Sequence, residues 1–190
     1  MNTNEAVALL RGAVPPSAGL WADIGAGDGT FTRALAALLG PTARVYAVDR
    51  DAGPIAALTR WAARDAPNVT VVHADFTRPL TLPGLEPSTL DGMLLANALH
   101  FVRDSGVVLA RLVTHLRPGG CVVLIEYDRR RASPWVPFPI PSASLPALAA
   151  DAGLTTPVVT AARPSLFGGT LYVAAADRRS GIKNEGVYHG

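Results

Sequence analysis

The chain has 190 residues, 49% of them hydrophobic, which is enough for one domain with a buried core. Its formal net charge of +2 is too small to imply a nucleic-acid partner, and no run approaches the ~20 apolar residues of a membrane span. The single cysteine, Cys121, excludes an internal disulfide and a thiol metal site; with an acidic Met-Asn-Thr-Asn-Glu start rather than a basic one, a cytoplasmic protein is expected.

Glu5 to Val14 carries helical apolar spacing and stops before Pro15-Pro16, which predicts a leading helix. Residues 21–31, Trp-Ala-Asp-Ile-Gly-Ala-Gly-Asp-Gly-Thr-Phe, predict a strand running through a glycine turn into a helix over 31–39. Gly25, Gly27 and Gly29 lack a Cβ, so the chain can turn tightly and a ligand can lie against bare backbone. The spacing is Gly-x-Gly-x-Gly, with Thr30 where the dinucleotide fingerprint needs its last glycine. Asp23 stands two residues before the first glycine. A carboxylate there argues against a phosphate and for a ligand with cationic or hydroxyl groups.

The run 43–48 closes on Asp49, about 20 residues after the turn, where a carboxylate can take both hydroxyls of a ribose. Pro54 to Arg64 predicts a helix, and the run 69–73 leads to Asp75-Phe76. Asp75 can accept from the exocyclic amine of an adenine, with Phe76 packed on its face. A fourth run, 90–96, ends at Asn97-Ala98-Leu99-His100; a helix over 104–116 and the turn to Gly120 precede a fifth run, 121–125. One acid at a strand end is usually a helix cap. Three of them after three consecutive strands, beside a glycine turn, describe a site.

This alternation predicts an α/β fold, a parallel sheet with helices on both faces. Asp128 to Pro146 breaks the rhythm: Arg129-Arg130-Arg131 is followed by five prolines in the fourteen residues from Ser133 to Pro146. That composition predicts an extended, semi-rigid connection on the side where the fifth strand ends. A short helix over 144–152 and strands over 154–162 and 170–176 complete a single domain, 1–176; 177–190 reads as a flexible tail.

In this order, Asp23-Ile24-Gly25-Ala26-Gly27-Asp28-Gly29-Thr30, Val48-Asp49, Ala74-Asp75-Phe76, Asn97-Ala98-Leu99-His100 and Leu116-Arg117-Pro118-Gly119-Gly120 resemble the class I S-adenosylmethionine-dependent methyltransferases. Within them the chain looks most like the small-molecule branch of ubiquinone and menaquinone biosynthesis, over about residues 18–176. The resemblance implies a Rossmann-like three-layer sandwich, its seven-stranded sheet mostly parallel with an antiparallel last strand. It implies S-adenosyl-L-methionine as cofactor. Asp23 and the turn at Gly25, Ala26 and Gly27 would hold its methionine part, with Asn97 and Ala98 near the amine and sulfonium. Asp49 would take the ribose hydroxyls, while Arg50, Asp75 and Phe76 would surround the adenine.

The acceptor is less legible. Methyl transfer from a sulfonium needs alignment above all, so this family has no single catalytic signature. His100 is the candidate base. Arg129, Trp135 and Phe138 are candidate substrate residues, the two aromatics as a lid over the methyl-transfer position. The partner expected is a small-molecule methyl acceptor, with no membrane, nucleic acid or metal; monomer and homodimer both remain open. An RNA or protein acceptor and a non-catalytic binding module are the alternatives.

Overall fold

The computed structural model describes residues 1–16, 19–128, 131–165 and 168–180. Seven strands form one sheet: β1 (Leu20–Ile24), β2 (Arg44–Asp49), β3 (Val69–His73), β4 (Leu90–Ala96), β5 (Leu116–Asp128), β6 (Val158–Pro164) and β7 (Thr170–Asp177). Their order is β3-β2-β1-β4-β5-β7-β6; β7 alone runs antiparallel to both of its neighbours. Among the described residues the α-helices are α1 (Thr3–Leu10), α2 (Thr30–Leu39), α3 (Ala52–Asp65), α4 (Ser105–Val113) and α5 (Leu145–Asp151).

Period-two alternation along the strands feeds two cores, one on each face. Trp21, Val45, Ala47, Leu94, Val123, Ile125 and Val173 pack under α1, α2 and α3. Ala22, Tyr46, Val48, Met93, Leu95, Val122, Leu124 and Tyr172 pack under α4 and α5. The result is the expected three-layer sandwich. From β1 the chain builds outward to β2 and β3, and from β4 in the other direction to β5, so the topological switch point lies between β1 and β4.

Several boundaries differ from the sequence reading. Helix α1 begins two residues early because Asn2 and Glu5 form a reciprocal cap: the Glu5 N–H donates to Asn2 Oδ1 at 2.9 Å and the Asn2 N–H to Glu5 Oε2 at 3.0 Å. Strand β5 begins at Leu116, since Leu116 pairs with Leu90 before an irregularity brings Cys121 opposite Gly92. Strand β6 starts after Pro157, which has no N–H to give a ladder; Leu154 makes only an isolated bridge to Arg178. Residues 177–179, read as the start of the tail, belong to the fold. Asp177 ends β7, the Arg178 N–H donates to the Gly120 carbonyl at 2.8 Å and the Arg179 N–H to that of Gly153 at 3.0 Å. Residues 181–190 lie outside the described residues, as do Arg129 and Arg130. Among the described residues no helix is long and apolar enough to cross a membrane.

Candidate active site

The carboxyl ends of β1 to β6 and the start of β7 surround a cavity of about 580 Å³, the size of a small-molecule site. Asp23, Gly25, Ala26, Gly27, Asp49, Arg50, Asp75, Phe76, Asn97 and Ala98 all line it, at the end formed by β1 to β4. These are the ten residues that the sequence resemblance assigned to the cofactor.

The three glycines of the turn do different work. All have positive φ, +77° at Gly25, +52° at Gly27 and +80° at Gly29. A Cβ on Gly25 would stand 2.6 Å from the Ala98 Cβ, and one on Gly29 would overlap the Leu58 side chain. A Cβ on Gly27 meets no protein atom within 4 Å. The outer glycines therefore make room for protein, and the middle one keeps the cavity wall bare. The end of β2 fastens the turn from below. Gly25 and Ala26 donate their N–H groups to the Val48 carbonyl at 2.8 and 2.9 Å, and the Gly27 N–H donates to Asp49 Oδ2 at 2.7 Å. Asp49 Oδ1 accepts from the Asp51 N–H at 2.9 Å, and each oxygen keeps a lone pair for another donor.

Asp23 is fully buried, and burial, the largest cause, pushes its carboxyl up to about 7. A hydrogen bond donated by Thr32 Oγ1 to Asp23 Oδ2 at 2.6 Å opposes that rise, while Asp49 and Asp28 add to it. Asp23 Oδ1 is buried with no hydrogen-bond partner among the described residues, and Asn97 Oδ1 is in the same condition. Two orphaned acceptors facing one cavity from β1 and the end of β4 fit a ligand that brings N–H donors, an ammonium above all. Asn97 also sits at φ +55°, a conformation that costs a non-glycine residue free energy and is held here by its N–H to the Ile125 carbonyl at 2.8 Å. Asp75 is tied into its own loop: Oδ1 accepts from the Thr77 N–H and hydroxyl at 2.9 and 2.7 Å. The Thr77 hydrogen bonds hold its carboxyl below the usual carboxylate range. It is an ionised acceptor at neutral pH.

The other end of the cavity departs from expectation. Phe101, Val102, Tyr127, Arg163, Ser165 and Leu171 form it. His100 is not on the wall: its side chain is 2% exposed, and its Nδ1 lies 2.6 Å from Oε2 of Glu126, which is itself fully buried. The His100 N–H donates to the other Glu126 oxygen at 3.2 Å. The imidazole packs on Phe101 and Tyr127 with ring centroids 4.5 and 5.9 Å away, one ring behind the cavity surface. Trp135 and Phe138 do not line the cavity either. Ser133 and Val136 exchange backbone hydrogen bonds at 3.1 and 3.0 Å, and this tight turn carries Trp135 outward to 78% exposure while Val136 is buried. The Phe138 N–H donates to the His100 carbonyl at 3.0 Å and its ring lies 5.2 Å from the Arg103 guanidinium. That backbone hydrogen bond ties the segment to the residues that follow β4. Arg129 lies outside the described residues.

A family profile described as "Methyltransferase domain" matches residues 22–120, more than half of the chain. The chain belongs to the methyltransferase domain family. The resemblance read from the strand-end acids and the glycine turn is thereby confirmed, and so is the class I assignment. Ribosomal RNA small subunit methyltransferase H of Bordetella avium (strain 197N) is 40% identical over 95 residues, which are 48% of this chain and 25% of that protein. The chain covers 54% of the CurJ carbon methyltransferase structure, with 95% of its own length aligned, 20% identity and a TM-score of 0.74. For the 1,6-didemethyltoxoflavin-N1-methyltransferase of Burkholderia thailandensis the chain covers 78%, with 94% aligned, 24% identity and a TM-score of 0.73. That structure holds S-adenosylhomocysteine and 1,6-didemethyltoxoflavin. The chain spans a quarter of the curated ribosomal RNA enzyme's length. These structural likenesses establish the fold.

Proposed function

We propose that this chain transfers a methyl group from S-adenosylmethionine to a small-molecule acceptor. The observation that carries the reading is the pair of orphaned buried acceptors, Asp23 Oδ1 and Asn97 Oδ1, on the wall of the glycine-turn cavity. When bound, S-adenosylmethionine supplies a methyl carried on a sulfonium. Asp23 and Asn97 would accept from its ammonium, Asp49 from its ribose hydroxyls and Asp75 from its adenine amine, with Phe76 on the adenine face and Arg50 beside it. The backbone of Gly25, Ala26 and Gly27 would carry the methionine part. Fixing donor and acceptor in one line can supply up to about 7–11 kcal/mol of the barrier, the larger share of what the protein must do.

His100 does not enter this reading as a general base: a base must come within hydrogen-bond reach of the proton it takes, and the imidazole is buried off the cavity wall with its Nδ1 2.6 Å from Glu126 Oε2. A sulfonium donor needs a base only where the acceptor must lose a proton. The expected cytoplasmic setting belongs to the same proposal.

Titration calorimetry tests the cofactor. The chain should bind S-adenosylhomocysteine, and Asp49→Ala should weaken S-adenosylmethionine and S-adenosylhomocysteine equally. The loss should be about 1.5–3 kcal/mol, the worth of hydrogen bonds to a charged acceptor. Binding of NAD without S-adenosylhomocysteine would overturn the reading. His100→Ala, which leaves the buried Glu126 without its partner, should cost stability while turnover and S-adenosylhomocysteine affinity hold. A loss of turnover at the parent's stability would return the pair to the chemistry. The Bordetella avium relative, named for ribosomal RNA, favours a second reading with ribosomal RNA as acceptor. Labelled methyl transfer to ribosomal RNA, and none to small molecules, would establish it.

A further inference from the structure

The cavity is chemically divided. At the β1 to β3 end its charged side chains are five acids, Asp23, Asp28, Asp49, Asp51 and Asp75, and Arg50, which lies 3.8 Å from Asp51. At the other end the sheet contributes one row of three residues. Tyr127 of β5 is paired with Leu171 of β7, and Leu171 with Arg163 of β6. Cross-strand partners share a face, so the three side chains stand on the same side of the sheet, and all three line the cavity. Adjacent strands are about 4.8 Å apart, so this row runs about 10 Å from the tyrosine to the arginine. Phe101 adds a second aromatic wall beside Tyr127.

Arg163 is half-buried and makes no ion pair with any described residue. Every other charged cavity side chain beyond the glycine turn is an acid or has an acid beside it. A guanidinium in a concave site, with no carboxylate of its own, is a planar fork of donors for a carboxylate or phosphate. Four strand spacings, about 19 Å, separate β6 from β1, so Arg163 serves the end of the cavity away from the cofactor residues.

Resting on the methyltransferase reading, we propose that the acceptor is an aromatic or similarly flat apolar molecule bearing an anionic oxygen group. Its body lies against Phe101, Tyr127 and Leu171, and Arg163 holds its anion. Arg163 is thus the residue that selects the acceptor. It is the part of the site that the strand-end acids do not describe.

The test uses the full chain saturated with S-adenosylhomocysteine and three probes of similar size: 4-hydroxybenzoate, phenyl phosphate and the neutral 4-hydroxybenzamide. At least one anionic probe should bind tenfold or more tightly than the amide, and which of the two leads tells carboxylate from phosphate. Arg163→Gln should bring all three within about twofold, Arg163→Lys should keep part of the preference, and both variants should melt and bind S-adenosylhomocysteine like the parent. The proposal fails if the parent shows no anion preference, or if Arg163→Gln retains it. It also fails if Arg163→Gln weakens S-adenosylhomocysteine, because the guanidinium then belongs to the cofactor's own carboxylate. A parent protein that does not bind S-adenosylhomocysteine at all sinks the underlying methyltransferase reading, and this inference with it.

Discussion

Asp23 concentrates the tension between stability and function in one carboxyl group. Its folded value of about 7 stands well above the ~3.9 of an unfolded aspartate. Between those values the unfolded chain has released the proton and the folded chain retains it, so unfolding gains ground as the pH rises. The ligand-free protein should therefore lose stability from about pH 4 to pH 7, at a slope approaching 1.4 kcal/mol per unit, and level off above. Asp75, held low, acts in the opposite sense but only below about pH 4. Thermal melts of the ligand-free chain at pH 5 and pH 8 should show the drop, and Asp23→Asn should flatten it. A cationic amine beside Asp23 reverses the balance by favouring the ionised form, so S-adenosylhomocysteine affinity should rise between pH 5.5 and 8. Affinity that is flat over that range removes Asp23 from the ammonium site.

At the scale of the element, the glycine turn separates binding from folding. Gly27→Val should fold with a modest penalty, since φ +52° costs an L-residue roughly 1–2 kcal/mol but the side chain meets no protein atom. It should nonetheless lose cofactor, because the branch would stand where a ligand must approach the backbone. Gly29→Ala should behave in the reverse way, losing stability because its Cβ overlaps Leu58, a fully buried core residue. Melting temperature and S-adenosylhomocysteine titration on the two variants check the contrast. A Gly27→Val protein that melts cooperatively and binds normally would show that the middle glycine serves the backbone conformation of the turn alone.

At the scale of the whole molecule, the sheet order gathers the polar groups of the cavity. The switch point between β1 and β4 brings Asp23 and Asn97, 74 positions apart in the chain, to one cavity. The antiparallel entry of β7 brings its first residues, not its last, to the carboxyl ends of the other strands, and with them Leu171 and its partner Arg163. The Pro-rich connection crosses outside this space. Trp135→Ala should accordingly leave turnover and cofactor affinity within about twofold and change stability by no more than about 0.5 kcal/mol, as for an exposed side chain without partners in a core. A large fall in turnover would mean that the turn at Ser133–Val136 closes over the cavity in solution.

Read alone, the sequence determined what depends on local chemistry. Glycine spacing, apolar runs and the acids that end them located the strands and the residues that line the β1 to β4 end of the cavity, because strand ends, turns and caps are written within a few positions of one another. It also fixed the fold class, since alternating strands and helices leave a parallel sheet few ways to bury both faces. Only the tertiary structure decided the other end of the cavity. Whether His100 faces a ligand or a carboxyl group depends on Glu126, 26 positions away on β5, and the buried partner won because a carboxyl group in the core needs hydrogen-bond partners. Trp135 and Phe138 looked like a lid because their segment leaves the right edge of the sheet, but the Ser133–Val136 turn, not the edge, sets where they point. Arg163 carries no local signal, and its meaning comes from the pairing of three strands whose register no stretch of sequence displays.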